Sequence, residues 1–306
     1  MDRTTSFWYY GSALVILTVL SIIARVIVRR MRQDPKSSSV PMNASFFKFQ
    51  RNYLLVYLIV SCADWLQGPY MFVVYQTYGF PVGDIGKLFI TGFISAMIFG
   101  PVVGALADKF GRKKMCLGFC VFYGAACILA HIPVFPVLIL GRILSGVATA
   151  ILFSCFEAWM IHQHFHRGFH ADLLESTFDL ATTGNGIIAI FAGFLASILV
   201  ARYGPLSPLK ASLVCLVLAF LVISPTWSEN YGNSQIEILE SLQQSVHVLR
   251  KDPRVLILGF AQSLFESGMY IFVFMWTPAL QSTTPFEVLN GWVFACFMVM
   301  PPCLLL

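Results

Sequence analysis

Charge is what this chain has least of. Asp, Glu, Lys and Arg make up 11% of its 306 residues, against 58% hydrophobic residues, a mean hydropathy of +0.76 and 28 Phe. A soluble fold could not cover that much apolar surface, so the soluble classes are excluded. Paired cysteines are lacking too. The eight Cys residues (62, 116, 120, 127, 155, 215, 296 and 303) fall almost entirely in apolar stretches with no C-x-x-C pair, which predicts thiols packed within helices. There is no HExxH, no clustered nucleophile and no metal-ligand set. That argues against a membrane-embedded enzyme, and neither a metal nor a cofactor is expected.

What the chain does have is apolar runs of about twenty residues, the length that crosses about 30 Å of hydrocarbon as a helix. Because backbone groups in lipid must be satisfied within the segment, the predicted class is an all-α polytopic membrane protein with the lipid bilayer as its solvent. Spans are predicted near 7–28, 52–77, 85–106, 113–131, 136–160, 174–200, 208–224, 254–279 and 288–306. The first lacks a small-residue cleavage site and is followed, not preceded, by an arginine cluster, so it reads as a retained helix with its N-terminus outside. Fifteen of the 20 Lys and Arg then fall on the cytoplasmic side and four outside, with Arg142 left within a span. In a soluble domain the net charge of +5 would suggest nucleic acid; here the placement of the charges accounts for it, and no nucleic-acid partner is expected. The same orientation puts the Asn43-Ala44-Ser45 sequon in the cytoplasm, where it should stay unglycosylated.

Residues 224–253 form the one long polar connection. Ser234 and Glu237 make a capping box, and Ile236, Leu239, Leu242, Val246 and Leu249 form one apolar stripe ending at Asp252-Pro253. An amphipathic helix along the cytoplasmic face is predicted there.

Residues 104–115, "GALADKFGRKKM", have the spacing of a tight cytoplasmic hairpin: Gly104 opens it, Asp108 ends one helix, Gly111 allows the turn, and Arg112, Lys113 and Lys114 anchor the next helix. The pattern resembles the signature loop between core helices two and three of the major facilitator superfamily. Residues 138–151, "LILGRILSGVATAI", resemble its fourth-helix motif, an arginine followed by glycine four residues on. The resemblance makes 52–77 core helix one and 7–28 an extra helix ahead of the core. Asp64 then lies near mid-membrane, too deep to snorkel, and should face a polar cavity or a partner.

An internal echo supports a repeat. "LQGPYMFVVY" at 66–75 and "ESGMYIFVFM" at 266–275 align at an offset of two hundred, pairing Gly68 with Gly268, Tyr70 with Tyr270 and Phe72-Val73 with Phe272-Val273. Core helices one and seven are the pair that a parallel six-plus-six repeat relates, and each carries a mid-helix carboxylate, Asp64 and Glu266.

The phrases "ADWLQGPYMFVVYQTYGF", "LFSCFEAWMIHQH", "WSENY" and "DPRVLILGFAQSLFESGMYIFVFMWTPAL" together look like the molybdate-anion transporter family. The resemblance implies a secondary transporter for uptake of molybdate or a related oxyanion across the plasma membrane, with protons as a candidate coupling ion. Holding a tetrahedral dianion requires hydrogen-bond donors and a cation. Arg142 is the one intramembrane cation, Asn185 and Gln262 are neutral donors, and Asp64, Glu157 and Glu266 are candidate proton carriers or partners of the arginine.

Two signals are discounted. His162, His166 and His170 lie four apart in "HQHFHRGFH", but Gly168 interrupts them and a solvated loop is the expectation. "TTGNGIIAIFAG" lacks the Gly-Pro that proton-coupled drug exporters usually carry in core helix five, which weakens an exporter reading.

The implied organisation is an extra helix and basic linker at 1–50, a six-helix N-terminal bundle at 51–224, the connecting segment at 225–253 and the start of a C-terminal bundle at 254–306. Core helices one to eight are then present and the last four absent, as in a truncated form. The alternative is a non-transporting membrane protein that acts as a receptor or regulates a full-length transporter.

Overall fold

The computed structural model describes residues 8–20, 44–232, 247, 250–284 and 288–299. Among these residues the chain is helical and has no strand. The helices are α1 (Trp8–Leu20), α2 (Ala44–Gln67), α3 (Met71–Thr77), α4 (Val82–Phe110), α5 (Arg112–Leu129), α6 (Phe135–His166), α7 (Ala171–Tyr203), α8 (Ser207–Thr226), α9 (Pro253–Thr283) and α10 (Asn290–Val299). Five of them, α4, α6, α7, α8 and α9, are long and apolar enough to cross a membrane. Large apolar side chains such as Ile94, Met97, Ile98, Val214, Leu218 and Leu221 stand exposed along these helices. Water would oppose such a surface and lipid solvates it, so this is a multi-pass membrane protein. The predicted amphipathic helix at 234–249 lies, apart from residue 247, outside the described residues, as do the sequon asparagine and Cys303.

The helices sort into two compact units, each assembled from separated stretches. The first takes the chain up to Val74, Gln163–Val222 and the chain from Leu280 onward; the second takes Tyr75–His162 and Ile223–Ala279.

In the first unit α2 packs on α7, and α7 on α10. The buried positions of α2, Phe46, Phe49, Tyr53, Val56, Val60 and Ala63, step by three or four residues, which makes one continuous stripe. The buried side of α7 is made of small residues, Ala181, Ala189, Ala192, Gly193 and Ala196, which lets neighbouring backbones come close. At Gly193 and Gly291 the approach is close enough that a side chain on either residue would collide with the other's carbonyl oxygen.

Gly68 and Pro69 interrupt the predicted span at 52–77. Pro69 has no N–H to continue the ladder; the Tyr70 N–H instead turns back to the Gln67 carbonyl (3.2 Å), and α3 starts at Met71. In the second unit α4 packs on α5, and α4, α6 and α9 line an open cavity.

Candidate functional site

Four polar loci follow from this framework, and the most extensively bonded of them is the α4–α5 hairpin. Gly111 is its only residue between the two helices and adopts φ 107°, a conformation that L side chains rarely take. Asp108 Oδ1 accepts from both Arg112 Nη2 (2.7 Å) and Arg112 Nε (3.1 Å). A strap made of the end of α8 and residues 227–232 lies across this turn. Glu229 Oε1 accepts from the Lys113 N–H (2.8 Å) in the first turn of α5, where a carboxylate also suits the helix dipole. A Cβ on Gly111 would sit 2.5 Å from the Glu229 carboxyl carbon, so the glycine serves close approach as well as the turn. Arg112 N–H donates to the Asn230 carbonyl (2.9 Å), Gly232 N–H to the Asp108 carbonyl (3.1 Å), and Lys113 Nζ to the Ser224 carbonyl (2.7 Å). Trp227 stacks on Trp159 of α6 at 3.7 Å, and Trp159 Nε1 donates to the Ser228 carbonyl (2.9 Å). Gly104 lies within α4, one turn before Asp108, and has open space beside it.

Arg142 is half-buried on α6 and lies against α4. Its Nε donates to the Leu88 carbonyl (3.3 Å), its guanidinium sits 5.3 Å from the centre of the Phe89 ring, and the Tyr75 hydroxyl is beside it. Gly92 makes room: a Cβ there would come within 2.7 Å of Arg142 Nη2. Among the described residues no carboxylate pairs with this arginine, so its charge is offset only by a carbonyl, a ring face and a phenol.

The cavity between α4, α6 and α9 measures about 570 Å³. Gln262 and Glu266 line it together, with Gln262 Nε2 donating to Glu266 Oε1 (2.9 Å). Phe93 and Tyr270 form part of its wall and stack at 4.1 Å.

The first unit holds Asp64 and Asn185. Asp64 is half-buried, and the Trp65 indole N–H next to it in sequence donates to Asn185 Oδ1 (2.8 Å), which ties α2 to α7 through the asparagine's acceptor. Two buried amide links run beside it: Gln50 Nε2 to Thr177 (3.0 Å), and Gln67 Nε2 to Ser212 (2.9 Å), whose hydroxyl donates to the Ala63 carbonyl (2.7 Å).

The predicted residues are therefore distributed. Gln262 and Glu266 share one cavity, Arg142 has its own α4–α6 setting in the same unit, and Asp64 and Asn185 belong to the other unit. Glu157 is exposed on α6. Of the histidines, His162 and His166 belong to α6, which runs on to His166, while His170 precedes α7. Among the described residues no group of three His, Cys, Asp or Glu side chains could hold a metal. Sequence reasoning missed Tyr75, the strap at 224–232 and the Gln50 and Gln67 links. No spacing or periodicity announces the strap, whose Glu229 and Asn230 meet the hairpin across more than a hundred residues.

The family described as sugar transporters with 12 transmembrane helices matches residues 13–302. The chain is similar to proteins named molybdate-anion transporter: 36% identical to that of Xenopus laevis over 93% of this chain and 63% of the relative. It is 38% identical to that of Xenopus tropicalis over 86% of this chain and 58% of the relative. It is 31% identical to that of Takifugu rubripes over 92% and 64%. The chain thus spans less than two thirds of the length of these relatives.

Proposed function

Because the chain belongs to this sugar-transporter family of the major facilitator superfamily, we propose that it acts in secondary transport, taking up molybdate or a related oxyanion across the plasma membrane. The observation that carries the reading is the similarity, along nearly the whole chain, to relatives named for that anion.

The chemistry of the second unit is compatible with it. Molybdate is a tetrahedral dianion and needs a cation that is not already neutralised. Arg142 meets that description, because its neighbours are the Leu88 carbonyl, the Phe89 ring and the Tyr75 hydroxyl. A carboxylate partner would cancel the charge that the cargo requires, and charge-assisted bonds to an oxyanion are the stronger kind. Tyr75 is assigned as a neutral group beside the arginine, and Asp64, in the other unit, as a residue that takes up protons during the cycle. The hairpin from Asp108 to Lys113, closed by the Glu229 strap, acts as a latch on the cytoplasmic side: its bonds form in one state and release in the other.

Molybdenum content of cells expressing the chain, measured by mass spectrometry, tests the assignment. We expect Arg142→Ala to lower accumulation at least tenfold and Arg142→Lys to keep part of it. Normal accumulation in Arg142→Ala at equal surface expression would overturn the role of the arginine.

A further inference from the structure

The hydrogen bonds around the α4–α6–α9 cavity give it a chemical bias. A hydroxyl group has a single proton to donate. Thr149 donates its proton to the Ser145 carbonyl (2.9 Å) and Ser154 to the Ala150 carbonyl (2.7 Å). Ser263 donates to the Gly259 carbonyl (2.8 Å) and Ser267 to the Ser263 carbonyl (2.7 Å). All four line the cavity, and with their protons committed to the backbone they present lone pairs to it. Glu266 adds a carboxylate, and no lysine or arginine is among the lining residues. One Gln262 N–H is already given to that carboxylate. The walls are otherwise apolar and aromatic: the Phe93–Tyr270 stack, Phe153 and Met97.

A tetrahedral oxyanion placed here would meet a like charge and the lone pairs of four hydroxyls, against which only the second Gln262 N–H and the Tyr270 hydroxyl could donate. A cation would meet the reverse. Ring faces attract a cation through their quadrupoles, the carboxylate supplies the counter-charge, and about 570 Å³ lies within the range of small-molecule sites. We infer that this cavity is a binding site for a lipophilic organic monocation, with Glu266 as its counter-ion and Phe93, Tyr270 and Phe153 as its aromatic walls. The site is separate from the oxyanion reading, since it excludes the charge that Arg142 would attract. Occupancy would hold α9 against α4 and α6.

Two probes of nearly equal shape and opposite charge test the inference: tetraphenylphosphonium and tetraphenylborate, each titrated by equilibrium dialysis against the full chain in lipid nanodiscs. Saturable binding of the phosphonium is expected, with none of the borate. Glu266→Gln should weaken phosphonium binding at least tenfold, and Glu266→Asp should keep most of it. Equal binding of both probes by the unsubstituted chain would overturn the inference without any variant needing to fold. So would unchanged phosphonium binding in a Glu266→Gln protein whose thermal unfolding is normal. Molybdate is included as a competitor: failure to displace the phosphonium supports two separate sites, and displacement at equal ionic strength overturns the separation. Loss of molybdate uptake in Arg142→Ala leaves the dialysis result unaffected, so the two proposals fail independently.

Discussion

Residues 66–75 and 266–275 share the pattern Gly-x-Tyr-x-Phe-Val, yet the chain folds them differently. The first copy is broken: α2 stops at Gln67, a turn covers Gly68 to Tyr70, and α3 begins at Met71. In the second copy α9 runs without interruption from Pro253 to Thr283. Position 69 is proline and position 269 is methionine; Pro69 cannot donate and its ring crowds the carbonyl four residues back, which favours the break without sufficing for it, since Pro101 and Pro278 lie inside continuous helices. Packing differs along with it. Tyr70 is buried, with its hydroxyl 3.1 Å from Ser197 Oγ and accepting the Gly291 N–H at 3.3 Å. Tyr270 is 39% exposed at the cavity wall, stacked on Phe93. A repeat in sequence thus supplies two different parts, a broken helix anchored by its tyrosine and a straight helix that offers its tyrosine to a cavity.

The most severe way to erase this contrast is to write the proline into the second copy. Met269→Pro would remove the N–H that bonds the Phe265 carbonyl, and Phe265 is exposed, so the freed oxygen would face lipid without a partner among the described residues. A loss of about 3 kcal/mol is expected, read as a lower thermal unfolding midpoint in nanodiscs. An unchanged midpoint would show that the proline is not what separates the two copies.

A smaller effect is expected from disturbing the anchor of the first copy. The Gly291 N–H reaches the Tyr70 hydroxyl only because α7 and α10 touch through Gly193 and Gly291. Gly291→Val would push those backbones apart at a cost of about 1–3 kcal/mol, the usual range for overpacking. Gly268→Ala is the matched control, because nothing lies within 4 Å of a Cβ there. Alanine's better helix propensity should raise stability by up to about 1 kcal/mol. The same midpoint measurement on both variants checks the opposite signs.

The sequence makes the helices legible because apolar run length is a local property, although the span at 52–77 reads as one helix and is broken at Gly68-Pro69. The hairpin at 104–115 is legible on the same ground, since glycine at 111 and the flanking charges are neighbours in the chain. The strap is not, because Glu229 and Asn230 meet Lys113 and Arg112 across more than a hundred residues with no periodicity to announce the contact. The cavity's bias is hidden more deeply. Composition shows serines and a threonine as hydrogen-bonding residues, but whether each presents a donor or an acceptor depends on whether its proton goes to the carbonyl four residues earlier. Asn185 illustrates the same limit: its oxygen accepts from Trp65, a contact the sequence does not announce, while its amide N–H groups are not used in that bond.

The finest test removes one oxygen from each copy. Tyr70→Phe keeps the buried ring and deletes the hydroxyl, which leaves the Gly291 N–H without its acceptor in a buried setting. A buried donor left unsatisfied costs about 1–3 kcal/mol, more than the net worth of an average hydrogen bond, because its desolvation is no longer offset. Tyr270→Phe deletes a hydroxyl with no hydrogen-bond partner among the described residues and keeps the stack on Phe93, so its midpoint should not move. The double variant should then match Tyr70→Phe alone, since the two tyrosines belong to different compact units and share no partner. Equal losses in the two single variants would mean that the second copy is anchored as firmly as the first, and the division into anchor and cavity wall would fall.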